Sequence, residues 1–212
     1  MKKICIAIST VFLSMGLVAT QTSAQTIGIA PEAGVNFSNI IGDNTDGNDM
    51  KLGFKVGANV NIPLSENLYL SPGLHYSVKG TQNEVTLPIL GTYTAKTNLG
   101  YLEVPINLMY RVPVGAGSVF FSAGPYVAFG IAGNYTLNDD EKAKVDWGSD
   151  LLETNPLDIG INAGIGYELP MGLYLRAQYG HGLTTLSNVK DVKRNNQNIQ
   201  LSLGYNLWTW AR

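Results

Sequence analysis

The last part of the chain alternates strictly between apolar and polar residues, and this pattern limits the fold more than any other feature. Between residues 199 and 207 every odd position is apolar, and the positions between them are Gln200, Ser202, Gly204 and Asn206. Successive side chains of a β-strand point to opposite faces, whereas a helical face repeats about every 3.6 residues. The segment is therefore predicted to be a strand whose two faces meet different environments.

The same period of two recurs along the chain, most clearly in 51–62, 156–169 and 172–181. We predict eight strands, at 27–38, 51–62, 67–79, 99–112, 118–131, 156–169, 172–181 and 197–208. After residue 25 no run of 18 apolar residues occurs, so a helical membrane span is not expected.

The polar face separates two architectures that share this alternation. In a soluble barrel or sandwich the apolar face points inward, whereas in a membrane barrel it meets lipid. The polar positions are rich in glycine, serine and asparagine, and only 14% of the chain is charged. A soluble surface normally carries more lysine and glutamate. We therefore predict an all-β fold, an eight-stranded antiparallel up-and-down transmembrane β-barrel.

Charged residues of both signs occupy the polar face, which is the lumen of the predicted barrel. An eight-stranded barrel has little internal space beyond its packed side chains, and buried charges need partners. We expect a lumen ion network formed by Glu32, Lys55, Lys79, Glu103, Arg111, Glu168 and Arg176. A conduction or ligand pathway through the lumen is the alternative.

Aromatic residues on the apolar face separate into two levels once the alternating strand direction is considered. The level toward the long loops contains Phe37, Phe54, Tyr76, Phe129 and Tyr179. The level toward the short turns contains Tyr110, Phe121, Tyr167 and Tyr205. Two such belts are expected where aromatic rings sit at both lipid–water interfaces.

The connections alternate between short and long. Short turns are predicted at 63–66, 113–117 and 170–171, and long polar loops at 39–50, 80–98, 132–155 and 182–196. In outer-membrane barrels the long loops face outside. We expect these four loops to be the surface for an extracellular or secretion-system protein partner, and the acidic third and basic fourth loops either to pair or to contact that partner.

Four prolines, Pro31, Pro72, Pro105 and Pro125, fall inside predicted strands. Proline lacks the backbone N–H that a ladder uses, and a closed barrel has no free edge for it. We expect bulges or local breaks at these positions. A bulge would invert the inward and outward positions beyond it.

The N-terminus has the features of a secretory signal. Lys2 and Lys3 precede an apolar run at 4–18, and small residues follow up to Ala24. We predict a signal peptide at 1–24, cleaved near Ala24, and an outer-membrane β-barrel at 25–212, located in the cell outer membrane. Cys5 is the only cysteine and lies in that signal, so no disulfide or cysteine-ligated metal is expected in the exported chain.

No catalytic, metal or cofactor site is expected. The two histidines, His75 and His181, lie on strands that are not neighbours, and no Ser/His/Asp grouping accompanies them. The aspartate-rich loop at 42–49 does not follow the order of a calcium-binding loop. The formal net charge of −2 argues against nucleic acid as a partner, since nucleic-acid binders carry basic patches.

Taken together, these segments resemble the PorT-like outer-membrane β-barrel family. The matching stretches are 34–38, 51–57, 74–80, 101–105, 164–168 and 176–180. The resemblance covers essentially the whole exported chain and implies an outer-membrane location and an eight-stranded barrel of the Gram-negative envelope. One namesake is tied to a protein secretion system. The chain departs from the usual aromatic barrel ending, because Ala211 and Arg212 follow Trp208 and Trp210.

Three functions remain open at this point. The leading hypothesis is a non-enzymatic barrel with a side-chain-filled lumen, long extracellular loops and a structural or surface-interaction role. The second is a narrow pore or an accessory subunit of a secretion or transport system. The third is a soluble calycin-like binding barrel with an apolar pocket.

Overall fold

A computed structural model describes residues 27–87, 91–137, 141–151 and 153–208. The signal peptide predicted at 1–24 lies outside these residues and stays a prediction. The strands are β1 Gly28–Gly42, β2 Asn48–Pro63, β3 Leu68–Leu87, β4 Gly91–Val114, β5 Gly117–Leu137, β6 Glu141–Lys144, β7 Leu157–Glu168, β8 Leu173–Gly182, β9 Arg194–Tyr205 and β10 Leu207–Trp208.

Eight of these strands form a closed ring in chain order. Each long strand pairs antiparallel with the next, and β1 pairs with β9 from Glu32↔Gly204 to Gly42↔Arg194. The short strand β10 continues the line of β9 along β1, and β6 pairs with β5 outside the ring. The prediction of an eight-stranded up-and-down barrel is confirmed.

The burial pattern shows which face points outward. On β9 the side chains of Leu201 and Leu203 are 45% and 58% exposed, whereas Ser202 between them is 2% exposed. The same alternation runs along β1, β5, β7 and β8. The calycin-like alternative is wrong, because its apolar pocket would require an apolar lumen and most of the buried side chains are polar or charged. Within the described part of the chain, no helix has the length and apolarity to cross a membrane.

The prolines break the ladders locally but do not shift them. Pro31 lies where β1 passes from pairing with β10 to pairing with β9, and the register is the same on both sides. The β3–β4 ladder lacks pairs between Pro72↔Ile106 and His75↔Glu103, again without a change of register. The β4–β5 ladder lacks pairs between Pro105↔Tyr126 and Leu108↔Ala123. The expected local breaks are present, and the assignment of residues to the inward and outward faces is the same on both sides of each break.

The register changes occur elsewhere, above the level of the prolines. One lies on β2–β3 between Met50 and Lys55, and one on β4–β5, where Tyr101↔Gly130 is followed by Gly100↔Ala132. Ile131 is the extra residue of this second bulge. Beyond it the faces of β5 exchange, since a Cβ on Gly133 would meet buried Val145 inside the barrel. Residues 132, 134 and 136 therefore lie on the outer face.

The predicted long loops are corrected, because the strands continue through much of them. The segment 80–98 is the end of a β3–β4 hairpin that stays paired to Leu87↔Gly91. Strands β1 and β2 cover most of 39–50, and β5 with β6 covers part of 132–155. Beyond the membrane both faces of a strand meet water, so the sequence loses the alternation that marked the strands. The short turns lie close to their predicted positions.

Candidate functional site

The lumen holds a first ion cluster around Glu32 of β1. Its carboxylate lies 2.7 Å from Lys55 Nζ and 3.3 Å from Arg176 Nη2. The Tyr174 hydroxyl donates to Glu32 Oε2 at 2.8 Å, and Asn59 Nδ2 donates to it at 3.3 Å. These partners come from β2 and β8, on either side of β1. The cluster therefore joins strands that are not all neighbours in the sheet.

A second cluster surrounds Lys79 of β3, nearer the long-loop end. Lys79 Nζ lies 2.7 Å from Glu103 Oε2 and 3.2 Å from Asp158 Oδ2, and its side chain is 1% exposed. The ammonium also lies 4.3 Å from the centre of the Tyr126 ring. Asn196 Nδ2 donates to Asp158 at 2.9 Å. The positive charge of Lys79 is therefore compensated by two carboxylates and by the face of an aromatic ring.

The third charged group lies at the short-turn rim. Arg111 and Glu168 form two parallel hydrogen bonds of 3.0 and 2.8 Å. Asn206 also donates to Glu168, and Asn61 donates to Asn206 Oδ1 at 2.7 Å. Such a bidentate pair fixes direction as well as distance. It ties the β4–β5 and β7–β8 turn regions to the final segment of the chain.

The predicted lumen residues all occur in these three groups, which the register of the sheet assembles from different strands. Lys55 and Arg176 meet Glu32, Lys79 meets Glu103, and Arg111 meets Glu168. Sequence reasoning did not include Asp158, although it placed that residue on the polar face of its strand. The described ion pairs thus join four carboxylates, Glu32, Glu103, Asp158 and Glu168, with four basic side chains, Lys55, Lys79, Arg111 and Arg176.

An apolar cluster lies at the long-loop side of the Lys79 cluster. Its buried members are Ile40, Leu99, Tyr101, Tyr126, Ala128, Val145 and Leu186, with Trp147 packed against them. Val145, Trp147 and Leu186 come from the third and fourth connections, so these segments fold inward over the lumen. We call this group the apolar cap. A second apolar cluster, Ala30, Met109, Phe120 and Tyr174, lies toward the turn end.

One wall of the lumen carries buried polar atoms without a hydrogen-bond partner. They include Ser122 Oγ, both polar atoms of the Asn162 amide, Gln178 Oε1, Gln200 Oε1 and Ser202 Oγ. These residues lie on β5, β7, β8 and β9, which are consecutive in the ring. Buried polar atoms are usually satisfied by protein or by ordered water. We call this group the polar wall, and its polar atoms could hold water in the lumen.

The predicted aromatic belt residues point outward. Eight of the nine are at least 38% exposed, and Tyr76 is half-buried. Near the turn end Tyr110 pairs with Phe121, and the Tyr167 hydroxyl donates to Val114 O. Toward the loop end the rings of Phe54 and Tyr76 lie 5.8 Å apart. Their function as interfacial anchors stays a prediction.

The remaining candidates do not come together. His75 is buried with its Nε2 3.0 Å from Asn59 Oδ1, whereas His181 stacks on Tyr179. Within the ranges that the structure describes, no group of three potential metal ligands occurs. In the aspartate-rich first loop, Asp43 Oδ2 accepts from the Lys193 backbone N–H at 2.8 Å. The third and fourth connections meet through Asn188, whose amide donates to three backbone carbonyls of the third.

Comparison with solved structures agrees with this architecture. The chain superposes on Neisserial surface protein A (NspA) with a TM-score of 0.50, at 10% identity, over 85% of this chain and 99% of that one. Pseudomonas aeruginosa OprG gives a TM-score of 0.47 at 12% identity over 87% and 97%, and the outer membrane enzyme PagL gives 0.40 at 11% over 84% and 98%. At such identities only the fold is shared.

The sequence comparison is more decisive. No curated protein matches the chain significantly. The family described as "Outer membrane protein beta-barrel domain" matches residues 20–188, which is most of the chain. This match agrees with the closed antiparallel ring and its outward apolar face. The chain belongs to the outer membrane protein beta-barrel domain family and is located in the outer membrane.

Proposed function

We propose that this protein is a non-enzymatic outer-membrane barrel with a closed lumen and a structural or surface-interaction role. The observation that carries the proposal is the Lys79 cluster beneath the apolar cap. Lys79 forms ion pairs with Glu103 and Asp158 across the lumen, and Leu186 and Trp147 pack over this cluster from the loops. A conducting lumen would need its charged groups to face a continuous path of water.

The long-loop end supports a surface role. The β3–β4 hairpin and the end of β5 extend past the apolar band, and hydrogen bonds join the first, third and fourth connections. Above the apolar cap lies a cavity of about 370 Å³ whose lining includes Thr81, Tyr135, Leu151 and Arg194. An ordered, concave surface of this kind suits an extracellular or secretion-system protein partner.

The non-enzymatic part of the proposal rests on the contacts of the two histidines. A catalytic base must lie within hydrogen-bond reach of the group it activates. Buried His75 contacts the Asn59 amide, and His181 stacks on Tyr179 near the loop-side end of β8. Neither contact activates a nucleophile.

A narrow pore is the second candidate, and the polar wall favours it. Unpartnered polar atoms on Ser122, Asn162, Gln178 and Gln200 suit a file of water along β5, β7, β8 and β9. In this hypothesis the ion clusters would act as a gate rather than as a permanent plug.

Conductance of the full chain in planar bilayers tests the two candidates. The closed-lumen proposal predicts no unitary steps for the wild type, whereas the pore hypothesis predicts regular ones. A heat-dependent gel shift would show that the protein is folded. Regular steps from the folded wild type would contradict the proposal and favour the pore.

A further inference from the structure

The outer face of the barrel changes abruptly from apolar to polar where β3, β4 and β5 rise above the lipid band. One cross-strand row on this face is Tyr76–Leu102–Phe129. Four to seven residues further along the same strands, two successive outward rows are Gly80–Asn98–Asn134 and Gln82–Lys96–Thr136. At about 3.3 Å per residue the nearer polar row lies only ~13–17 Å along the strands from the apolar row. Because the strands of such barrels are tilted by about 35–45°, the rise along the membrane normal is smaller, and the nearer polar row lies close to the lipid headgroups.

A groove of about 610 Å³ lies on this face. Its lining combines polar side chains with an apolar lower edge formed by Leu52, Tyr76 and Val78. The polar members are Lys51, Gln82, Lys96, Asn98, Asn134 and Thr136, and the described residues of the lining include no carboxylate. The bulge at Ile131 is what turns Asn134 and Thr136 toward the groove rather than into the lumen.

Lys51 reaches the groove where the β2–β3 ladder is interrupted between Met50 and Lys55. The residue is 6% exposed, and its Nζ donates to Leu52 O at 3.1 Å. An ammonium has three N–H donors, and this hydrogen bond uses one of them. Lys51 is therefore held in place with its charge next to the groove, opposite Lys96 on β4.

We propose that this groove binds the phosphate of a lipid headgroup in the outer leaflet. Two ammonium groups and the amides of Gln82, Asn98 and Asn134 supply the donors that a phosphate needs, and none of the described lining residues is acidic. The apolar lower edge continues into the lipid-facing wall, where the acyl chains would lie. A free phosphate ion would use the same donors but would gain nothing from that edge.

The test compares lipid selectivity in phosphatidylcholine bilayers containing the full chain. Spin-labelled phosphatidic acid and spin-labelled phosphatidylcholine are added separately, and electron paramagnetic resonance gives the association of each with the barrel. The wild type is expected to prefer phosphatidic acid. In Lys51→Gln/Lys96→Gln the preference should fall by about fivefold for each lysine removed, the effect of one basic residue near a membrane surface.

A charge-matched control is Lys190→Gln/Lys193→Gln, in the fourth connection and away from the groove. It should keep the wild-type preference, and a heat-dependent gel shift should show both variants folded. Equal preference in the wild type and the groove variant, or an equal loss in both variants, would overturn the proposal. Removal of the preference by inorganic phosphate would assign the groove to a free anion and overturn its assignment to a lipid.

Discussion

The ammonium of Lys79 lies 2.7 Å from the carboxylate of Glu103, and the two side chains are 1% and 4% exposed. The second carboxylate, Asp158, lies 3.2 Å from the same ammonium and accepts hydrogen bonds from Tyr126 and Asn196. This relationship joins β3, β4 and β7 through the lumen rather than along the sheet. It is the centre of the closed-lumen proposal.

Replacing Lys79 with methionine is expected to destabilise the barrel strongly. Glu103 and Asp158 would be left buried without their cation, and breaking a buried ion pair from one side costs about 3–5 kcal/mol. Urea unfolding in lipid vesicles would measure the change in free energy of unfolding. The double variant Lys79→Met/Glu103→Leu should lose less, since Asp158 keeps its hydrogen bonds to Tyr126 and Asn196. A single variant as stable as the wild type would show that the lysine is not compensating these acids.

Replacing Glu168 with glutamine is expected to cost about 1–3 kcal/mol, because Arg111 would lose a charged, bidentate acceptor at a mostly buried site. The same unfolding assay applies. Glu66→Gln, on the exposed turn between β2 and β3, serves as the matched control and should change stability little. Equal losses of stability in the two variants would show that the Arg111–Glu168 pair stabilises the barrel no more than an exposed side chain does.

Replacing Gly166 with alanine is expected to destabilise the lumen packing by about 1–3 kcal/mol. A Cβ at this position would lie 2.1 Å from Phe120 Cζ and 2.6 Å from the Leu175 carbonyl oxygen. Gly47→Ala is the control, because nothing lies within 4 Å of its Cβ position. Its φ of +86° adds the backbone cost of a left-handed residue, about 1–2 kcal/mol. A larger loss at Gly47 than at Gly166 would contradict the tight contact with Phe120.

Replacing Leu201 with arginine tests the outward face. Leu201 is 45% exposed and lies on β9 between the two aromatic levels, two residues after the Ile199–Tyr179 pair and four residues before Tyr205. A charge on the lipid face of a barrel costs about 2–4 kcal/mol near the bilayer midplane and ~0–1 near the interfaces. Leu64→Arg, in the β2–β3 turn, should therefore cost much less. Refolding into vesicles followed by unfolding would show the difference, and equal costs would place Leu201 outside the lipid.

The sequence was sufficient for those parts of the fold in which the two faces of a strand meet different solvents. Strands β7, β8 and β9 lie within a few residues of their predicted bounds, because Leu201 and Ser202 face lipid and lumen respectively. Above the membrane that contrast disappears, so the continuation of β3 to Leu87 was predicted as a loop. The bulge at Ile131 was not predicted, because no residue type in that segment marks it. The prolines could be recognised in the sequence, but they interrupt the ladders without changing the register.

The lumen was predicted less completely than the strands. The alternation of apolar and polar residues placed Asp158 and Tyr174 on the polar face. Which ion partners meet, however, depends on the stagger between strands across the whole ring. Glu32 meets Arg176 because β1 closes onto β9, which pairs with β8. No local pattern contains that information. The inward fold of Leu186 over the lumen is likewise set by the pairing of the loops.

Accessibility along β9 tests the central claim, that the apolar face meets lipid and the polar face is sealed inside. Nitroxide labels at residues 199 to 205, one at a time in the full chain in bilayers, would be probed with oxygen and with a water-soluble nickel complex. Labels replacing Leu201 and Leu203 should be open to oxygen, and a label replacing Ser202 should be closed to both reagents. Access of the nickel complex to a label at position 202, or oxygen access at the even-numbered rather than the odd-numbered positions, would contradict this claim.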